Sequence, residues 1–224
     1  MNNKWLLSRQ LLHWELPFPE SELINSEQAL RQTGLTFPII TKPLDKWAGL
    51  GFQIHPDRSS LAHTLDRQGL LSTYPLIAQR YVPGWDVGAS FLASGGKLVA
   101  YSLFHHRRRG ERSFFADPRL RGMLERFAAA SDYSGVGHLD LRYDPVNDDY
   151  RILELNPRFW ASLLYATSAG LNYPDILVRL ADWDGKSVKT AAPSTIRLPP
   201  YERLMTLGNR WFSIAYEKLT KAAL

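Results

Sequence analysis

The stretch that most limits the fold runs from Val136 to Asn156, "VGHLDLRYDPVNDDYRILELN". Two alternating apolar segments flank "DPVNDD", a cluster of turn formers, and this reads as an antiparallel hairpin with its loop near Asp144–Asp149. Centring the loop on Asn147 sets Asp140 opposite Glu154 and His138 opposite Asn156. Directly opposed Cβ atoms lie ~4.5–5.5 Å apart, and residues two apart on a strand share a face. Asp140, Glu154 and Asn156 therefore fall on one face. Leu139, Leu141, Leu153 and Leu155 take the other and suit packing on helices. Two carboxylates and an amide oxygen that close together repel unless something positive lies between them. Hard oxygen donors on a rigid frame suit Mg2+. Arg158, just past Pro157, then suits a bidentate grip on a phosphate or carboxylate. The same residues also fit a surface hairpin whose acids face water, because a slip of one residue turns the face over.

Around this hairpin the pattern alternates between periods of two and of 3.6. "DVGASFLASGGKLVAYSLFHH" predicts a second hairpin, turning at Gly95-Gly96. Strands are predicted in "FPIITKP", after the glycine-bearing turn in "DKWAGLGFQIH", and in "YPLIAQRYVPG", which stops at Pro83-Gly84. Helical spacing marks "NKWLLSRQLLHWEL", which the prolines of "PFPESEL" break. It also marks "EQALRQTG", ended by its glycine, and "RSSLAHTLDRQGL", with a serine cap near its start. "DPRLRGMLERFAAASDYSG" is a further helix, and "WASLLYATSAGLNYPDILVRLADWDG" one or two more. Antiparallel hairpins mixed with helices predict an α+β fold rather than a parallel doubly wound sheet. No dinucleotide-type glycine fingerprint follows a strand. In the last segment Leu204, Leu207, Trp211, Ile214 and Leu219 form an apolar stripe. Such a helix packs on the domain, covers a bare face, joins two copies in a dimer, or lies on a membrane surface.

Composition removes several functions. With 224 residues, 45% of them apolar, the chain can bury a real core. It has no cysteine, which excludes a disulfide, a thiolate nucleophile and a cysteine-ligated metal. The N-terminus lacks the apolar core of a signal peptide, and no run approaches the ~20 apolar residues of a spanning helix. The expectation is a soluble, cytoplasmic protein with no membrane span. The net charge of +5 invites nucleic acid, but the basic residues are scattered except in "HHRRRGER". Nucleic acid is therefore not the expected partner; ATP-independent binding with a steep salt slope would mark it. Arg107, Arg108 and Arg109 there suit an anionic substrate as well as a solvated loop. His105 and His106 have no ligand-like spacing for zinc. His138 reads as a packing or supporting residue rather than a base.

"ILELNPRFWAS", with Asp140 on the partner strand, resembles the metal-binding signature of the ATP-grasp superfamily. Other segments extend the likeness in order, from about Asn3 to Leu180. "FPIITKP" is similar to a family strand whose lysine implies that Lys42 touches the α- and β-phosphates. "DKWAGLG" resembles the glycine loop over the triphosphate, here with Gly49 and Gly51. "PLIAQRYVPGWD" resembles the hinge that pairs with adenine. This implies the backbone of Arg80 and Val82 as partners, with Gln79 nearby and Asp86 near the ribose. "NKWLLSRQLLHWELPFPES" resembles the family's opening, which adds Lys4 to the nucleotide-binding set.

The resemblance implies two α+β subdomains gripping ATP between antiparallel sheets. The implied bounds are 1–34 for the N-terminal helix and linker, 35–80 for a small lid subdomain, 81–190 for the large subdomain, and 191–224 for a C-terminal linker and helix. It implies ATP and Mg2+ (or Mn2+) as cofactors, with Asp140, Glu154 and Asn156 as metal ligands. Lys42 and Arg158 become the catalytic pair, and Arg107, Arg109 and Ser162 the substrate contacts. The implied reaction activates a small-molecule carboxylate as an acyl-phosphate and passes it to an amine or thiol, a C–N or C–S ligase. Positioning and charge neutralisation carry such chemistry without a side-chain nucleophile. Family members usually have an α/β domain before this unit. The expectations are thus a short form, a truncated form, or an ATP-binding partner or regulatory half of a split ligase whose N-terminal domain is a separate subunit. Three positions depart from the pattern. Arg80 stands where glutamate is frequent, Ala161 replaces a glycine, and Asp140 is short enough to bind metal through water.

Overall fold

Helix α1, Lys4–His13, starts where the Asn3 side chain accepts the Leu6 N–H (3.0 Å). The computed structural model describes residues 3–46, 50–68, 75–106 and 110–198. Strand β1, Ser21–Ile24, precedes helix α2, Glu27–Arg31, which Ser26 caps through the Ala29 N–H (3.1 Å). Glycine does not end α2: Gln32 is its C-cap, and the Gly34 N–H donates to Glu22 instead (3.1 Å). Strands β2, Ile39–Pro43, and β3, Gln53–His55, lead to helix α3, Arg58–Gln68. The expected serine cap of α3 is replaced by Asp57, whose carboxylate accepts the Ser60 N–H (2.7 Å). Its charge also suits the positive end of the helix dipole.

After β4, Leu76–Arg80, the strands β5, Trp85–Ser94, and β6, Lys97–His106, form the expected hairpin. Gly95 and Gly96 hold φ of 52° and 71°, which a two-residue hairpin turn of this hand requires. The basic stretch is not a loop throughout. Glu111–Phe115 is strand β7, paired antiparallel with the end of β6. Helix α4, Pro118–Ala130, takes Asp117 as its cap and Pro118 in its first turn. Strands β8, Gly135–Asp144, and β9, Asp149–Asn156, follow. Asp144 sets the turn between them by accepting the Val146 N–H (3.0 Å) and the Asn147 amide (2.7 Å). Helices α5, Leu163–Ser168, and α6, Tyr173–Val178, precede two short strands that the sequence pattern did not predict, β10, Lys189–Thr190, and β11, Ser194–Arg197. The C-terminal stripe lies outside the described residues. Among the described residues no helix is long and apolar enough to cross a membrane.

The chain divides into two compact units, Met1–Asp86 with Leu139–Asn156, and Val87–His138 with Pro157–Leu224. The first holds an antiparallel sheet in the order β1-β4-β2-β3. Leu30, Leu61 and Leu65 of α2 and α3 form one buried cluster with Ile24, Ile39, Leu76 and Ala78. The register sets Lys42 opposite Ile77, and Gln79 opposite both Ile40 and Ser21, so these five share a face. The second unit orders its strands β11-β7-β6-β5, all antiparallel, with β10 parallel to β6. Phe104, Phe114, Trp160, Tyr165 and Tyr173 dominate its core. His138 is buried there, stacked between Phe104 and Trp160, with Nδ1 2.9 Å from the Ser90 hydroxyl.

Candidate functional site

The first unit draws charged residues from four elements together. The cap at Asn3 makes Lys4 the first residue of α1, and the Lys4 N–H bonds to the Leu44 carbonyl just past β2 (3.0 Å). This tie turns the Lys4 side chain inward, where only 6% of the residue stays exposed. Its ammonium donates to the Lys46 carbonyl (2.5 Å) and lies 3.6 Å from Glu154 Oε1. Lys42 sits on β2, half-buried, and its ammonium makes no hydrogen bond among the described residues. Burial pushes its pKa down to about 8; the Lys4 charge lowers it further, while Glu154 and Asp140 pull the other way. Two cations and two carboxylates thus crowd one region. A desolvated cation without a hydrogen bond favours an anion that brings several oxygens.

On the hairpin, Asn156 Nδ2 donates to Asp140 Oδ2 (2.9 Å), so these two share a face. Leu139, Leu141 and Leu155 are buried and Leu153 is half-buried. Among the described residues no group of three or more His, Asp or Glu is arranged to hold a metal. The available set is two carboxylates and one amide, hard oxygen donors that fit Mg2+, since that ion keeps waters and substrate oxygens in the rest of its shell.

The segment after β4 supplies backbone groups. The Arg80 N–H bonds to the Glu20 carbonyl and the Tyr81 N–H to the Pro38 carbonyl, both 2.9 Å. The Val82 N–H has no partner among the described residues. Gln79 is buried; its Nε2 donates to Ser21 (2.8 Å) while Oε1 lacks a donor. Sequence reasoning missed Arg142 on β8. Its guanidinium donates to the carbonyls of Val82 (2.6 Å) and Gly84 (2.8 Å), to Asp86 Oδ1 (2.6 Å) and to the Tyr81 hydroxyl (3.0 Å). Its place two residues from Asp140, on the same face, was the available signal.

Gly51 holds φ 73°, and a Cβ there would press on the Pro43 ring at 2.8 Å. Gly49, Arg107, Arg108 and Arg109 lie outside the described residues. Arg158 and Ser162 belong to the second unit. Arg158 is exposed and donates to the Phe159 carbonyl (2.9 Å), and Ser162 precedes α5 without capping it.

Residues 72–203 match the family described as ATP-grasp in the biosynthetic pathway with Ter operon. The chain belongs to the ATP-grasp family. Solved structures share the fold of this ATP-grasp chain. L-amino acid ligase from Bacillus licheniformis is 15% identical with a TM-score of 0.63, over 87% of this chain and 52% of its own. Biotin carboxylase from Campylobacter jejuni, in complex with a β,γ-ATP ligand, gives 16% and 0.66, over 87% of this chain and 47% of its own. Carboxyaminoimidazole ribonucleotide synthase from Aspergillus clavatus, complexed with ATP, gives 16% and 0.67, over 87% of this chain and 55% of its own. The ATP-grasp chain spans about half the length of these structures. No curated protein matches it. The α+β, antiparallel architecture expected from the hairpins is the one these neighbours have.

Proposed function

We propose that this ATP-grasp chain is an ATP- and Mg2+-dependent ligase that activates a carboxylate as an acyl-phosphate and transfers the acyl group to an amine or thiol. The observation that carries the reading is the convergence of Lys4 and Lys42 with Glu154 and Asp140. The two ammonium groups suit a polyphosphate, while the two carboxylates beside them suit its metal ion. Asp140, Glu154 and Asn156 would hold Mg2+, which when bound withdraws charge from phosphate oxygens. The shared face of Ile40, Lys42, Ile77 and Gln79 suits a flat base beside its phosphates, and the open Val82 N–H suits a ring nitrogen. The lone Gln79 Oε1 suits an amino donor. In the reaction a substrate carboxylate oxygen attacks the γ-phosphorus, the bridging P–O bond breaks and ADP departs. The acceptor nitrogen or sulfur then attacks the acyl carbon, loses its proton, and expels phosphate. Lys42 stabilises the transferring charge, with Arg158 as the second proposed catalytic cation.

The test is ADP and phosphate release with a panel of carboxylic acids, amines and thiols. Glu154→Gln and Lys42→Ala are expected to abolish release while the chain stays folded; wild-type turnover in both variants overturns the assignment. A second reading takes the chain as the ATP-binding partner of a split ligase, given that it spans about half of the matched structures. An ATP–Mg2+-raised melting temperature, with no turnover until a separate substrate subunit is added, selects that reading.

A further inference from the structure

Two open hollows on the second unit play no part in the proposed nucleotide chemistry. The larger, about 590 Å3, follows the outer face of α4 from Pro118 to Ala129. The smaller, about 270 Å3, lies between the start of β6 and the loop that holds Trp183 and Lys186. Both reach Glu125, so they adjoin along one side of the unit. Lys97, Lys186 and Arg126 border this groove, exposed and without an acid partner among the described residues. On α4, Arg119 pairs with Asp117 (3.2 Å) and Arg121 holds Glu125 (2.9 Å), which leaves Arg126 as the surplus charge. Asp184 Oδ1 is engaged inside its own loop by the N–H groups of Lys186 (2.9 Å) and Ser187 (2.8 Å) and by the Ser187 hydroxyl (2.9 Å). The Trp183 indole N–H is held by the Ser187 carbonyl (2.7 Å). The loop that carries Lys186 is thus pinned before a ligand arrives, which lowers the ordering cost of binding. Between the cations the lining is apolar, with Leu98 and Met123 buried and Trp183 half-buried.

Gly122 points the same way. It stands in the middle of α4, where glycine is less favourable than alanine because it loses more backbone entropy. A Cβ at Gly122 would meet nothing within 4 Å, so internal packing does not require glycine there. Its missing side chain keeps the larger hollow open down to the helix backbone. Charge and length then select the ligand. At 1.5 Å per residue, Pro118 to Ala129 spans about 16 Å, the reach of about five residues of extended chain. Cations around an apolar floor suit carboxylate side chains interspersed with apolar ones. Nucleic acid fits less well, because one half-buried ring offers no platform for successive bases and Glu125 lies in the path of the phosphates. A second copy of the chain, with its net charge of +5, brings the wrong sign.

We propose that this groove docks an acidic segment of a partner protein, its apolar side chains seated over Met123, Gly122 and Leu98 and its carboxylates on Lys97, Lys186 and Arg126. The groove lies wholly within the second unit and stands independently of the nucleotide reading. The test is fluorescence anisotropy of the full chain with a labelled peptide of alternating glutamate and leucine. Peptides of glutamate alone and of alternating lysine and leucine, and an oligothymidylate, are the comparison arms. The glutamate–leucine peptide is expected to bind saturably, and each of the others at least roughly tenfold more weakly. Reversing the three charges together, Lys97→Glu, Lys186→Glu and Arg126→Glu, should raise its Kd by tenfold or more, about 1.4 kcal/mol. Gly122→Leu should weaken binding similarly while the melting temperature holds or rises, which a glycine needed only for the fold would not allow. Absence of saturable binding, or an unchanged Kd in the charge-reversed chain, overturns the site. Tighter binding of oligothymidylate overturns the choice of partner. Should Gly122→Leu fail to fold, the charge-reversed chain, altered only at exposed positions, still decides.

Discussion

Lys42 shows how one residue can cost stability and serve binding. Its pKa of about 8, against 10.5 for a solvated lysine, means that between these values the unfolded chain binds more protons than the folded one. Stability therefore rises with pH across that window, and below it the buried charge costs on the order of 3 kcal/mol. Lys42→Met is expected to raise the melting temperature of the free chain at neutral pH and to erase the increment that ATP–Mg2+ adds. Calorimetry with and without nucleotide checks both parts. In the wild-type chain ATP affinity should weaken as pH climbs past about 8, because the free lysine loses its proton there; isothermal titration at several pH values reads this directly. Gly84 is constrained for a different reason. At φ 92° an added Cβ would run into the Tyr143 carbonyl and lie 2.6 Å from Pro145 Cδ. Gly84→Ala should lower stability by more than about 2 kcal/mol in chemical denaturation.

At the scale of elements, the first unit is joined by polar ties as much as by its core. Arg142 links β8 to the segment after β4 through two carbonyls, one carboxylate and one phenol. Arg142→Met leaves the Val82 and Gly84 carbonyls without their charged donor and Asp86 without its partner. A loss of roughly 2–4 kcal/mol is expected, read as a lower urea midpoint at unchanged slope. A shift under 0.5 kcal/mol, as for an ordinary surface residue, would show that solvent replaces these bonds. Helix α4 in the second unit depends on a smaller device. Asp117 accepts the Arg119 N–H (2.8 Å), and its removal in Asp117→Ala should cost about 1 kcal/mol in the same assay.

For the whole molecule, the division into two units predicts where nucleotide acts. ATP–Mg2+ should slow amide exchange in β2, β4 and the β8–β9 turn region, all within the first unit. Unchanged exchange there would contradict the placement of the nucleotide. Sequence by itself determined the elements whose signals are local. Period-two alternation with turn residues marked both hairpins, helical spacing marked α1 and α4, and the order of lysine, glycine and acid motifs marked the family. Strands β10 and β11 were not legible, because short polar segments pair only when a sheet edge is offered to them. Asp57 displaced the expected serine cap because the helix begins one residue earlier than its serines. Arg142 was not singled out by any local pattern, yet it gathers four partners from the segment after β4. Those outcomes depend on which residues distant in sequence become neighbours, and burial sets their energies. Burial is a property of the folded chain, so tertiary structure alone decided it.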